Sequence, residues 1–240
     1  MKFIIVIRFI VKITLYFFDK ISQKKILLIL KKIFKKNIGT VIDIGAHRGE
    51  TINFLIKNFK YNNIYAFEPN VESYNILTKE IKSLDKNNDI YLINSGIGVK
   101  NEEKFLIEST DSASSTYCNF KSNSKYLKKK KFFFKYKKIK KQKTNILTLE
   151  KFFKEKNLKS VNYLKIDTEG YELNVIKGLR KYIKKIRIIH FEHHYDDMYI
   201  KNYTFQDIHS YLSKNNFRKI YKLKMFFRKT FEYVYENEEY

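Results

Sequence analysis

Residues 41–70 read VIDIGAHRGETINFLIKNFKYNNIYAFEPN, and the pattern of apolar residues changes period inside this one window. An apolar run, TVIDI, stops at a glycine turn; an amphipathic stretch follows over about 49–59; a second apolar run, NIYAF, stops at Glu68. Strand, helix and strand in that order are the unit of a parallel sheet. The same alternation extends outward on both sides. A helix is expected over about 71–84, a third strand at DIYLIN, an extra strand at KFLIES (104–109), a helix near 148–156 and a strand VNYLKID ending at Asp167. A helix from Tyr171 to about Tyr182, a strand IRIIHFE ending at Glu192, a helix near 204–215 and a C-terminal hairpin complete the order. The expectation is an α/β fold with a doubly wound, mostly parallel sheet and no internal repeat.

In such a sheet a ligand lies beyond the carboxyl ends of the strands, where the strand order reverses. Attention therefore falls on the strand ends. The first is followed by Asp43, Gly45, Ala46 and Gly49: Gly45 allows a tight turn and close backbone approach, and Gly49 opens a helix whose amides can receive a ligand group. The second ends at Glu68, 19 residues after Gly49, near the separation at which an acid accepts the ribose hydroxyls of an adenosine cofactor. A dinucleotide-binding oxidoreductase normally carries a glycine two positions after Gly45, so that backbone can approach a pyrophosphate. Here that position is His47, which disfavours the oxidoreductase reading and favours a smaller cofactor.

VIDIGAHRGET, YAFEPNVESYNIL, TLEKFF and YLKIDTEGYELNVIKGL, in this order over roughly residues 39–195, resemble the FkbM family of methyltransferases. The resemblance implies a seven-stranded Rossmann-like class I methyltransferase fold, S-adenosyl-L-methionine as cofactor, and methyl transfer to an oxygen, often of a sugar or other small molecule. It implies Asp43, Gly45, Ala46 and Gly49 as the cofactor turn, Glu68 as the ribose ligand and Asn94 as the neighbour of the adenine. It also implies that Asp167, Glu169 and Glu172 form the acidic motif after the fourth strand, and that a serine segment holding Ser112, Ser114 and Ser115 contacts acceptor or cofactor.

Asp167 and Glu172 are candidate bases if burial raises their pKa, with helix capping as the structural alternative. At the fifth strand end, His190, Glu192 and His194 share a face if the strand continues. Glu192 and His193 are candidate catalytic groups there, and His194 a candidate acceptor contact. A metal site at this cluster is the weaker reading, because a short polar cluster does not by itself preorganise ligands from several directions.

Charge divides the chain. The net +24 is concentrated as +9 in residues 1–36 and +12 in residues 121–143, leaving +3 for everything else. Residues 1–38 read as an apolar and basic helical appendage to a methyltransferase domain spanning 39–240, which carries a Lys- and aromatic-rich insert at about 121–143. Arg8 and Lys12 interrupt the first apolar stretch, so it fits neither a spanning helix nor a secretion signal; it is a helix packed on the domain or one lying on a membrane surface. The insert interleaves cations with rings, as single-strand nucleic-acid binding does, which keeps an RNA ribose methyltransferase or RNA-binding protein as the rival. Base-directed mechanisms that need Pro-Pro-aromatic or Pro-Cys motifs are ruled out, since Pro69 is the only proline. The single cysteine, Cys118, suits a reducing, cytoplasmic setting, with peripheral contact at the inner face of the membrane as an extension.

Overall fold

A computed structural model describes residues 2–84, 89–108, 114–133 and 140–240, with side chains from residue 6 onward. Its centre is a seven-stranded sheet. The strands are β1 (Asn37–Ile44), β2 (Lys60–Phe67), β3 (Ile90–Ile93), β8 (Val161–Ile166), β9 (Ile186–His194), β11 (Phe217–Lys224) and β12 (Thr230–Asn237), in the order β11-β12-β9-β8-β1-β2-β3. β12 runs antiparallel to both neighbours, and the other pairs are parallel. This is the expected doubly wound sheet with its C-terminal hairpin. The chain leaves β1 toward β2 and returns to place β8 on the other side, so the order reverses between β1 and β8.

Helices cover both faces, which is why β1, β8 and β9 read as nearly continuous apolar runs. Ile42, Ile44, Phe67, Leu164, Ile166 and Phe191 point to one face, under α5 (Leu149–Glu155), α6 (Glu172–Lys177) and α7 (Phe205–Lys214). Val41, Ile64, Ala66, Tyr163, Ile188 and Val234 point to the other. That second face packs against α2 (Glu50–Asn58), α3 (Val71–Leu84) and the C-terminal half of α1 (Lys2–Phe34). Two smaller sheets stand beside the main one. β4 (Gly96–Ile97), β7 (Lys140–Leu147) and β5 (Glu102–Glu108) form one in the order β4-β7-β5, and β6 (Asn119–Phe120) pairs with β10 (Tyr199–Ile200).

Three expectations are corrected here. The 1–38 segment is not a separate appendage: Ile26, Leu30, Phe34 and Ile38 are all buried in the second core. The 121–143 segment is not one insert either. It divides into α4 (Lys125–Phe133) and the start of β7, where Lys140 stands opposite Glu108 of β5 and Lys143 Nζ lies 2.6 Å from Glu103 Oε2. The strand ending at Glu192 continues two residues to His194, because β12 pairs with it up to Thr230 opposite His194. Among the described residues no helix is long and apolar enough to cross a membrane.

Candidate active site

The turn after β1 is built by contact with the strand on each side. Gly45 and Ala46 both donate their backbone N–H to the Phe67 carbonyl of β2, and Asp167 donates its own to the Ile44 carbonyl. Gly45 has φ +83° and lies so close to the β8 loop that a Cβ would sit 1.9 Å from the Asp167 carbonyl oxygen. Only glycine fits. Gly49, at φ +92°, precedes α2, where a Cβ would press on Leu77.

Glu68 closes the far side. Its carboxylate accepts from the His47 N–H at 2.7 Å and the Asn70 N–H at 2.8 Å, and it borders a narrow, open cleft. That cleft lies at the switch point and is lined by Gly45, His47 and Glu68, by the apolar Pro69, Ile97 and Leu106, and by Ser115, Asp167 and Glu169. Asn94 is not among its walls. The Asn94 amide donates to the Glu68 carbonyl at 2.8 Å and borders separate shallow grooves, so the apolar wall next to Glu68 comes from Pro69, Ile97 and Leu106 instead.

Beneath the turn is a row of buried ionisable groups. Register sets Asp43, Lys165 and His190 side by side across β1, β8 and β9, and strand alternation puts Asp167, Glu192 and Glu232 on the same face two residues on. His190 Nε2 is 2.7 Å from Glu232 Oε2, and its Nδ1 is 2.5 Å from the Tyr163 hydroxyl. Desolvation is offset for Glu232 by Lys165 and His190, which hold its carboxyl at about 2. Asp43 differs. Both its carboxylate oxygens are buried without a hydrogen-bond donor among the described residues, and burial pushes its pKa up to about 7 despite Lys165. A buried carboxyl left unsatisfied under a glycine cradle, with the Glu68 carboxylate across the cleft, suits a cationic adenosine cofactor.

The segment Thr168-Glu169-Gly170-Tyr171-Glu172 explains its own composition. Glu169 has φ +51° and Gly170 φ +98°, an unfavourable backbone for the glutamate. Surrounding groups hold it there. The Thr116 hydroxyl donates to the Glu169 carbonyl, the Tyr203 hydroxyl donates to the Gly170 carbonyl, and Glu172 Oε1 accepts from the Gly170 N–H at 2.6 Å. Glu172 Oε2 accepts from the Tyr203 hydroxyl at 2.7 Å. Glu172 is therefore fully buried, satisfied and outside the cleft, and the expectation that it acts as a base gives way to a role in holding the loop. His193 is likewise withdrawn. It projects from the opposite side of β9, 3.7 Å from Glu172 and against Tyr195, Tyr203 and Phe205, and burial lowers its pKa.

Glu192 and His194 face a second, larger cavity of about 520 Å³. Its floor holds Glu169, Glu192, His194 and Ser114, and its walls are Lys12 and Tyr16 of α1, Tyr126, Lys129 and Lys130 of α4, and Arg228 between β11 and β12. Ser114 accepts from Lys130 Nζ at 2.7 Å; Ser115 borders the first cleft; Ser112 lies outside the described residues. His194 Nε2 is 3.3 Å from Glu169 and 3.4 Å from Glu192, while Nδ1 is 3.1 Å from Asp196. Encirclement by carboxylates outweighs burial and raises the His194 pKa well above the ordinary value. Burial, with Asp167 nearby, pushes Glu192 up to about 8, whereas Glu169 is held at about 2 mainly by His194. Among the described residues no group of three or more His, Cys, Asp or Glu is arranged to hold a metal ion.

The sequence reading missed three features of this site. Lys165 was hidden inside an apolar strand, although its position two residues before Asp167 puts both on one face. Glu169, named with the acidic motif but given no role of its own, is the residue that borders both cavities among the described residues. The walls from α1 and α4 come from segments whose charge suggested appendages.

Residues 43–219 match the family model Methyltransferase FkbM domain. No curated protein matches the chain. Among solved structures, Methyltransferase FkbM from Methylobacillus flagellatus KT is similar with a TM-score of 0.54 at 16% identity, over 83% of this chain and 44% of that one. The chain thus spans less than half the length of that protein. M. capricolum TrmK in complex with S-adenosyl-homocysteine gives 0.47 at 16% identity, over 88% and 68% of the two chains. A SAM-dependent methyltransferase from Aquifex aeolicus gives 0.48 at 13% identity, over 87% of each chain. With the family model covering most of the chain and the sheet order, glycine cradle and Glu68 all in place, the chain belongs to the FkbM family of S-adenosylmethionine-dependent methyltransferases.

Proposed function

We propose that the chain transfers a methyl group to a hydroxyl of a sugar, a glycan or another small acceptor. The observation that carries this reading is Glu169, which borders both the cleft at the switch point and the larger cavity. Donor in the one and acceptor in the other meet beside Asp167 and Glu169.

Glu68 is the residue to hold the ribose hydroxyls, since each of its oxygens accepts one backbone N–H and keeps a lone pair toward the cleft. Pro69, Ile97 and Leu106 offer the adenine an apolar wall, and the turn from Gly45 to Gly49 takes the amino-acid end. S-adenosylmethionine supplies, when bound, a methyl group on an already electrophilic sulfonium, so that placing the acceptor accounts for much of the rate. Asp167, which opens to the cleft, orients the acceptor hydroxyl. Glu192, in its ionised form above about pH 8, accepts its proton, and the protonated His194 beside it stabilises the carboxylates that flank the reaction. Lys12, Lys129, Lys130 and Arg228 favour an acceptor that carries a carboxylate or phosphate.

A second reading, methylation of an RNA ribose, is favoured by the lysines and the Tyr126 and Phe133 rings on the same wall. Incubation with radiolabelled S-adenosylmethionine and either sugar phosphates or RNA separates the two by which acceptor is labelled.

The cofactor half has its own test. S-adenosylmethionine is expected to raise the melting temperature, by about 2.7 kcal/mol of stabilisation at a hundredfold excess over Kd, and Glu68→Ala to abolish the shift. Stabilisation by NADH and none by S-adenosylmethionine would sink the methyltransferase reading.

A further inference from the structure

The inner side of α1 is accounted for by the core and the second cavity; the outer side is not. Val6, Phe9, Ile10, Ile13 and Phe17 recur at spacings of three and four, the repeat of one helical face, and each is 53–64% exposed. The cavity residues Val11, Lys12, Leu15 and Asp19 belong to a different side of the helix. Large apolar side chains contiguous on a surface mark a binding face.

The same row changes character along its length. Beyond Phe17 it continues as Lys20, Lys24 and Lys31, all exposed. The neighbouring α4 adds Lys125, Lys128, Lys129, Lys130 and Lys131, and it is tied to α1 by Arg8, whose guanidinium donates to the Phe132 carbonyl at 2.8 Å. The apolar row is thus set among cations, on two helices that together carry +12 of the net +24.

We propose that the outer face of α1 docks on an anionic lipid surface, with Val6, Phe9, Ile10, Ile13 and Phe17 entering the headgroup and acyl boundary and Lys20, Lys24 and Lys31 resting on lipid phosphates. Apolar side chains followed by lysines on one helical row are what an interfacial helix needs, since buried apolar area and attraction to anionic headgroups act together. Two other occupants fit less well. RNA would engage the lysines and leave the apolar row in water. A second copy of the chain would cover the row but bring two strongly cationic faces together.

The test uses the full chain and flotation with phosphatidylcholine vesicles, with and without phosphatidylglycerol. Binding is expected only to the vesicles that contain phosphatidylglycerol, and to weaken as salt rises. Phe9→Ser with Ile13→Ser, and separately Lys20→Glu with Lys24→Glu, are each expected to lower partitioning by about tenfold or more while leaving the melting temperature unchanged. The proposal is overturned if the parent fails to float, or if Phe9→Ser with Ile13→Ser floats as the parent does. It is equally overturned if the parent sediments as a dimer that this double variant converts to monomer, or if the row proves to be needed for RNA binding. None of these readouts depends on methyl transfer, so the proposal and the catalytic reading stand or fall separately.

Discussion

Glu192 illustrates how strongly position sets chemistry at the scale of one residue. β9 places it opposite Glu232 on β12 and near Asp167, at the floor of the second cavity, and partial burial among these acids raises its pKa to about 8. Below that value it holds its proton and cannot accept another. The sign is therefore definite: if Glu192 is the base, kcat/KM rises with pH to a plateau above about 8, falling tenfold per unit below it. Glu192→Gln is expected to flatten that profile and to lower the rate by about 10²- to 10⁴-fold, measured by methyl transfer from radiolabelled cofactor. A profile unchanged by the substitution would remove Glu192 from the proton-transfer role. At this scale the sequence was informative about the groups that end strands and poor at sorting neighbours. Asp43, Gly45, Glu68 and Asp167 follow from where apolar runs stop. Glu192 and His193 are adjacent and both polar, and only the continuation of β9 past Glu192, fixed by pairing with β12, sends them to opposite sides.

At the scale of elements, α1 is two things in one helix. Its C-terminal half places Ile26, Leu30 and Phe34 in the core, while the N-terminal half walls the second cavity and exposes an apolar row. Burial of each such side chain contributes about 1.5–3 kcal/mol, so losing three costs about 5–9 kcal/mol, comparable with the total stability of a domain at about 5–15 kcal/mol. Deletion of residues 2–36 is therefore expected to give insoluble or unfolded protein. Deletion of residues 2–18 is expected to leave a cooperative melt, followed by circular dichroism; loss of the transition in that shorter deletion would show that the cavity wall also carries stability. Sequence periodicity located the helix but not this division, because charge dominated its reading. The same bias concealed β7. Lysines at 140 and 143 look like solvated surface until β5 sets Glu108 opposite the first and Glu103 within reach of the second.

At the scale of the molecule, β1, β8 and β9 were legible because a strand buried on both faces announces itself as an apolar run, whereas the count of seven strands was implied by the family resemblance. Of the two small sheets only β5 was expected, since β4, β6 and β10 are two residues long and carry no period of their own. They matter nonetheless, because the segments around them, Gly96 and Ile97 of β4 and the stretch from Ser115 to Tyr117, complete the wall of the cofactor cleft.

The van der Waals contact between Gly45 and the Asp167 carbonyl joins the loop that cradles one ligand to the loop that meets the other. Neither backbone can shift toward its neighbour. Glu169, two residues past Asp167 in a segment held in an unfavourable backbone region, lines the first cleft as well as the second cavity, so occupation of the first cleft is expected to be felt there. Linkage then makes the influence mutual: S-adenosyl-homocysteine and acceptor should each tighten the other's binding by the same factor, about 5- to 150-fold for couplings of this kind. Calorimetric titration of acceptor with and without S-adenosyl-homocysteine measures that factor; equal affinities would mean the two loops move independently. In kinetic terms, a single backbone contact would make binding synergistic, so that either ligand, once bound, lowers the concentration of the other needed to fill the site.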